Sequence, residues 1–91
     1  MTSLKIKWMA YKVAEMTNDE VMEKWYADPE NEELEAFADR TYEVMWELLE
    51  AFAAEMESFT NGEVDAKTAK RLAMCPKYSG RLEDLMNRWV A

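Results

Sequence analysis

Apolar positions recur along this chain at intervals of three and four far more often than at intervals of two, and that spacing predicts helices along its length. Between residues 3 and 16, Ile6, Met9, Val13 and Met16 fall at i, i+3, i+7 and i+10, one face of a helix. Leu4-Lys5-Ile6-Lys7-Trp8 alternates as a strand would. No second strand-like run exists for it to pair with, so helix is the reading. Thr17-Asn18-Asp19-Glu20 has the order of a capping box, a hydroxyl followed three residues on by a glutamate, and predicts a new short helix over about 18–27. Asp28-Pro29 ends that helix, because a residue before proline avoids the α region. The same dipeptide is expected to open the next helix, with Asp28 as N-cap and Pro29 at the first helical position.

From Pro29 to about Phe59 nothing interrupts the helical pattern. Leu34, Ala38, Thr41, Met45, Leu48, Phe52, Met56 and Phe59 average close to the helical period and mark the expected core stripe. Glu32, Asp39, Glu43, Glu50 and Glu57 lie opposite. Thr60-Asn61-Gly62 stops the helix, with Asn or Gly supplying a left-handed cap. A further helix is expected over about 65–74, ended by Cys75-Pro76. A last one starts at Ser79 or Gly80 and carries Leu82, Leu85, Met86, Trp89 and Val90 on one face. The prediction is an all-α fold: a small bundle of four to five helices around one long central helix, residues 1–91 forming a single helical domain.

Composition agrees with that picture and narrows the chemistry. Apolar residues are 49% and charged residues 33% of 91, a globular balance that argues against disorder. No run of about 18 apolar residues is present, so no membrane span is expected. The lysines spread through the first thirteen residues are unlike a signal peptide. One cysteine cannot form an internal disulfide, which points to a reducing, cytoplasmic setting. The absence of histidine excludes Ser-His-Asp and Cys-His nucleophile systems and His-based zinc sites. No phosphate-cradling glycine loop is present. Cys75, with no histidine to activate it, reads as a small packed residue. Met9, Met16, Met45, Met56 and Met86 fall on expected core faces, where methionine fills irregular gaps.

The net charge of −8 is unevenly distributed. Residues 1–16 carry three lysines against Glu15, net +2. Residues 17–63 carry fifteen acids against Lys24 and Arg40, net −13. Residues 64–91 carry six bases against three acids, net +3. The acidic middle also holds seven aromatic residues, so it reads as folded helix with an acidic face rather than as a disordered tail.

Three surfaces follow as candidates. A second apolar flank of the long helix holds Tyr42, Trp46, Leu49 and Ala53, with Trp46 set among Asp39, Glu43, Glu47 and Glu50. Aromatic side chains ringed by charge serve as interface anchors, so Tyr42, Trp46 and Leu49 are expected to bind a partner while the four acids steer it. The second is the carboxylate run. Glu32-Glu33-Leu34-Glu35-Ala36 resembles the E-E-x-x-E motif of all-α nucleotide pyrophosphohydrolases, but Ala36 stands where the third acid belongs and the downstream E-x-x-D is absent, so no metal site is expected. The third is the stretch from Ala69 to Leu82, which resembles a helix-turn-helix: Ala69 at the small packing position, Ala73-Met74-Cys75 as the turn, Ala73 where that pattern has Gly and Cys75 where it has Ser. The resemblance implies that residues 65–90 contact DNA, with Lys67, Lys70, Lys77 and Arg81 on phosphates.

The expected function is that of a non-enzymatic interaction protein without cofactors. Its partner would be a protein with a basic surface, such as one that handles nucleic acid, whose carboxylate-binding sites normally hold phosphate. In that style the chain resembles the small acidic helical inhibitors encoded by bacteriophages. A homodimer through the long helix is compatible with this reading, and a small DNA-binding regulator is the alternative.

Overall fold

The computed structural model describes residues 3–90, with side chains through Arg88. It is all-α, with four helices and no strand among the described residues: α1 Ser3–Ala27, α2 Glu32–Phe59, α3 Ala66–Met74 and α4 Pro76–Val90. The expected positions of Trp89 and Val90 on the last face lie outside the described side chains.

The first correction concerns α1, which runs through Thr17 without a break. The Thr17 hydroxyl donates to the carbonyl of Val13 at 2.9 Å, a bond made inside a helix and not at its start. Asn18, within the expected capping run, is buried. Its side-chain amide donates across to Thr41 Oγ1 at 3.0 Å and to the carbonyl of Ala38 at 3.4 Å on α2. Packing against α2 thus overrides the local capping pattern. The chain has two long helices, of 25 and 28 residues, rather than one.

The second correction concerns the start of α2. Pro29 lies in the turn, and Asn31 is the N-cap, its side-chain oxygen accepting the Leu34 N–H at 3.1 Å. Glu32, Glu33 and Glu35 fill the first turn, where the helix dipole favours acids. At the far end the expected stop holds: Asn61 and Gly62 both take positive φ, 53° and 85°, and the Gly62 N–H returns to the carbonyl of Glu57 at 2.9 Å. Asp65 caps α3, accepting the Thr68 N–H at 2.7 Å, a bond that holds its carboxyl below the usual range. Glu57 accepts the Ala66 N–H at 2.6 Å and ties the end of α2 to the start of α3.

The last correction is the start of α4, which begins at Pro76 rather than at Ser79 or Gly80. Cys75 is extended, as a residue before proline prefers. Proline at the first helical position has no N–H to lose and a φ already suited to the helix.

Long-range contacts set the topology. Lys7 Nζ meets Glu55 Oε2 at 3.0 Å, and Trp8 packs on Phe52 with ring centroids 5.0 Å apart. Asn18 meets Thr41. Residue numbers rise on α1 as they fall on α2, so the two are antiparallel, joined by the short turn 28–31. Lys5 reaches Asn87 at 3.0 Å, and the Trp8 indole N–H donates to Glu83 at 2.9 Å, which sets α4 antiparallel to α1. The shared core holds Leu4, Trp8, Tyr11, Leu49, Phe52, Met56, Ala69, Ala73, Leu82 and Met86. The molecule measures 46 × 23 × 20 Å.

Candidate docking surface between the two long helices

Helix α1 is apolar on two opposite faces, and the structure buries the one the periodicity did not single out. Leu4, Trp8, Tyr11, Ala14, Asn18 and Val21 face the core. Ile6, Met9, Val13 and Met16, expected to be buried, point to solvent, with Ile6 53%, Val13 64% and Met16 61% exposed. At about 100° per residue the two sets lie on roughly opposite sides of the helix, so only one of them can meet α2, α3 and α4. The winning set carries Trp8 and Tyr11, whose rings bury more area than a methionine or valine stripe can. Met45, Met56 and Met86 are in the core as expected, whereas Met9 and Met16 are not.

The exposed α1 stripe continues onto α2. Phe37 and Val44 are also exposed, and with Leu48 and Thr41 they form the second wall of an open groove of about 570 Å³ whose lining comes from α1 and α2 alone. Met9, Ala10, Val13, Ala14 and Thr17 form the first wall, and Arg40 is the charged residue along it. Apolar side chains gathered in this way, rather than scattered singly, mark a surface that another apolar surface covers.

The flank expected to bind a partner is mostly structural. Leu49, named as an anchor, is fully buried in the core (0% exposed) and cannot reach a partner from the folded protein. Ala53 is buried beside it. Trp46 is partly buried and packed against that core, with its indole N–H enclosed and without an acceptor. Only Tyr42 of the four is open, its ring edge-on to Trp46 at 6.1 Å. Helix α3 packs on α2, and its Ala69 and Ala73 belong to the same core as Leu49 and Ala53. Asp39, Glu43, Glu47 and Glu50 are all exposed, and among the described residues none of them is in an ion pair. Glu55, further along, is paired with Lys7, whose ammonium hydrogen-bonds the carboxylate and holds its pKa down.

Lys67, Lys77 and Arg81 are exposed and Lys70 is half-buried. Lys77 and Arg81 both lie over the ring of Tyr78, at 5.6 and 5.7 Å. Helix α3 meets α4 through Cys75 alone, where the DNA-binding pattern has a turn of three to four residues. Glu32, Glu33 and Glu35 are exposed on the first turn of α2, and among the described residues no three His, Cys, Asp or Glu side chains gather as a metal site would require. No helix in the described residues is long and apolar enough to cross a membrane.

Fold and surface together define an all-α, four-helix protein with one uncovered apolar face. No protein-family model, curated protein or solved structure matches the chain.

Proposed function

We propose that the chain is a non-enzymatic helical interaction protein that docks through the open apolar face of α1 and α2. The observation that carries this reading is the exposure of Ile6, Met9, Val13 and Met16, of which Met9 and Val13 share a groove with the exposed Phe37 and Val44. Leaving that much apolar surface in water is unfavourable by about 25 cal/mol for each Å², so a covering partner lowers the free energy of the whole. The unpaired carboxylates of α2 support a second part of the same reading. They draw in a protein with a basic surface, as a nucleic-acid-handling protein has, and make its association fast and salt-sensitive.

Val13→Arg tests the docking face. Val13 is largely exposed and arginine is a good helix former, so the variant is expected to keep its helical circular dichroism and melting temperature. It is expected to lose association, read by affinity capture from host lysate and by sedimentation of the pure protein. Unchanged association in both assays would overturn the reading. Joint replacement of Asp39, Glu43, Glu47 and Glu50 by their amides is expected to slow capture of a basic partner at low salt while sparing contacts made through the groove.

A further inference from the structure

We propose that the occupant of the apolar face is a second copy of this chain, with the two α1 helices packed antiparallel across a two-fold axis midway between Met9 and Val13. The proposal rests on the docking-face reading above and names its partner.

The spacing of the exposed stripe is the first argument. Ile6, Met9, Val13 and Met16 are separated by three, four and three residues, the a/d spacing of a coiled-coil seam. That order reads the same in both directions. In an antiparallel pair Ile6 meets Met16 of the second copy and Met9 meets Val13, so every member of the stripe finds an apolar counterpart. Glu20 and Glu23 occupy the next two positions of the seam and end it. An isologous interface requires such self-complementarity.

Charge along α1 is the second argument, and it is independent of the first. The N-terminal part of the helix, through Met16, carries three lysines against Glu15. The remainder carries Asp19, Glu20 and Glu23 against Lys24. The first turn of α1 has no acid of its own. An antiparallel copy brings Asp19 level with Ser3, within a turn of Lys5, and sets Glu20 near the N-terminal turn, where the helix dipole favours an anion. Lys12, close to the axis, faces its own counterpart, but Glu15 already neutralises it at 2.8 Å and its ammonium sits over the Trp8 ring. Asp39, Glu43, Glu47 and Glu50 of α2 are exposed, and Glu55 is already paired with Lys7.

The area sets the strength. The stripe from Ile6 to Met16 is about 15 Å long, and two packed helices present a face roughly 20 Å wide. That is about 300 Å² on each copy, below the roughly 1,000 Å² in total that a stable interface clears, so the dimer is expected to be weak and to form only toward the upper micromolar range.

Sedimentation velocity over a concentration series reads the association directly. The wild type is expected to pass from monomer to dimer, and Val13→Arg to require at least a tenfold higher concentration; Met16→Gln, also at an exposed position, gives the same readout should the first variant fold poorly. Register is read by oxidation in a Cys75→Ser background. The Ile6→Cys/Met16→Cys double variant is expected to form a disulfide-linked dimer. Each single variant is expected not to, because like positions lie about 15 Å apart along the axis in this arrangement and a disulfide needs Cβ atoms about 4 Å apart. Single variants that cross-link as readily as the double one would overturn the antiparallel register. A wild type that stays monomeric throughout would overturn the second copy as occupant. If Val13→Arg then still loses a captured partner, the docking face stands with a different occupant; if it loses nothing, both readings fall.

Discussion

Trp8 and Trp46 show how differently one side chain can be held in the same core. The Trp8 indole N–H has an acceptor in Glu83, and its ring packs at a tilt against Phe52 and Tyr11. The Trp46 N–H is enclosed with no acceptor at all. An enclosed donor without a partner costs free energy, whereas removing a satisfied one forfeits its bond, here one to a charged group. Trp46→Phe is therefore expected to be close to neutral, and Trp8→Phe to be more destabilising by about 1 kcal/mol or more, read as the difference between their urea midpoints. Tyr11 adds a pH dependence. Burial, and then the hydrogen bond its hydroxyl donates to Glu15 at 2.5 Å, push the phenol well above its ordinary value. The folded state therefore keeps the neutral phenol after the unfolded chain has begun to ionise near pH 10. Stability from Tyr11 is complete below that pH and is lost as pH rises toward the raised value. Urea denaturation above about pH 10 is expected to show a steeper loss for the wild type than for Tyr11→Phe.

At the level of whole elements, helix α1 is where local pattern and packing part. Thr17 to Glu20 has the residues of a helix start, and in a shorter context they would form one. Here Thr17 bonds back to Val13, and Asn18 is held by Thr41 and Ala38 across the interface. A cap and an interior threonine respond oppositely to alanine. Removing a cap costs about 1 kcal/mol, whereas alanine in an exposed interior position gains a few tenths from helix propensity. Thr17→Ala is thus expected to leave the thermal midpoint unchanged or slightly raised. A drop of several degrees would mean that Thr17 opens a separate helix. Pro76 is the converse case: the same proline that ends α3 also opens α4, so the final helix gains a turn that the glycine at position 80 did not lead one to expect.

The molecule as a whole is a long antiparallel pair with two shorter helices laid against it, and what that leaves uncovered is its most informative surface. Helix α3 packs on α2, and α4 lies along α1 through Asn87 and Glu83. Among the described residues nothing covers Met9, Val13, Phe37 and Val44. A chain of this length has a modest core, and a groove of about 570 Å³ is a large opening beside it. A second copy would close the two grooves on each other. The assembled form would then offer a basic partner the carboxylates of two α2 helices.

Helix content, the left-handed stop at Asn61-Gly62 and a helix over about 65–74 were legible in residue order, because each depends on neighbours within four positions and on backbone preferences that travel with the residue. The exposure of Asp39, Glu43, Glu47 and Glu50 was legible for a similar reason, since carboxylates without partners stay in water. The choice between the two apolar faces of α1 was not. Both repeat at helical spacing, and periodicity says that a face is apolar without saying what it meets. The run Leu4, Trp8 and Tyr11 held the available clue, being the stripe with the larger rings. The same ambiguity made Leu49 look like an anchor beside Leu48, one residue away on the helix. Packing decided both, because three helices can cover only one side of a fourth, and the side that buries Trp8, Tyr11, Leu49 and Phe52 together removes the most apolar area from water.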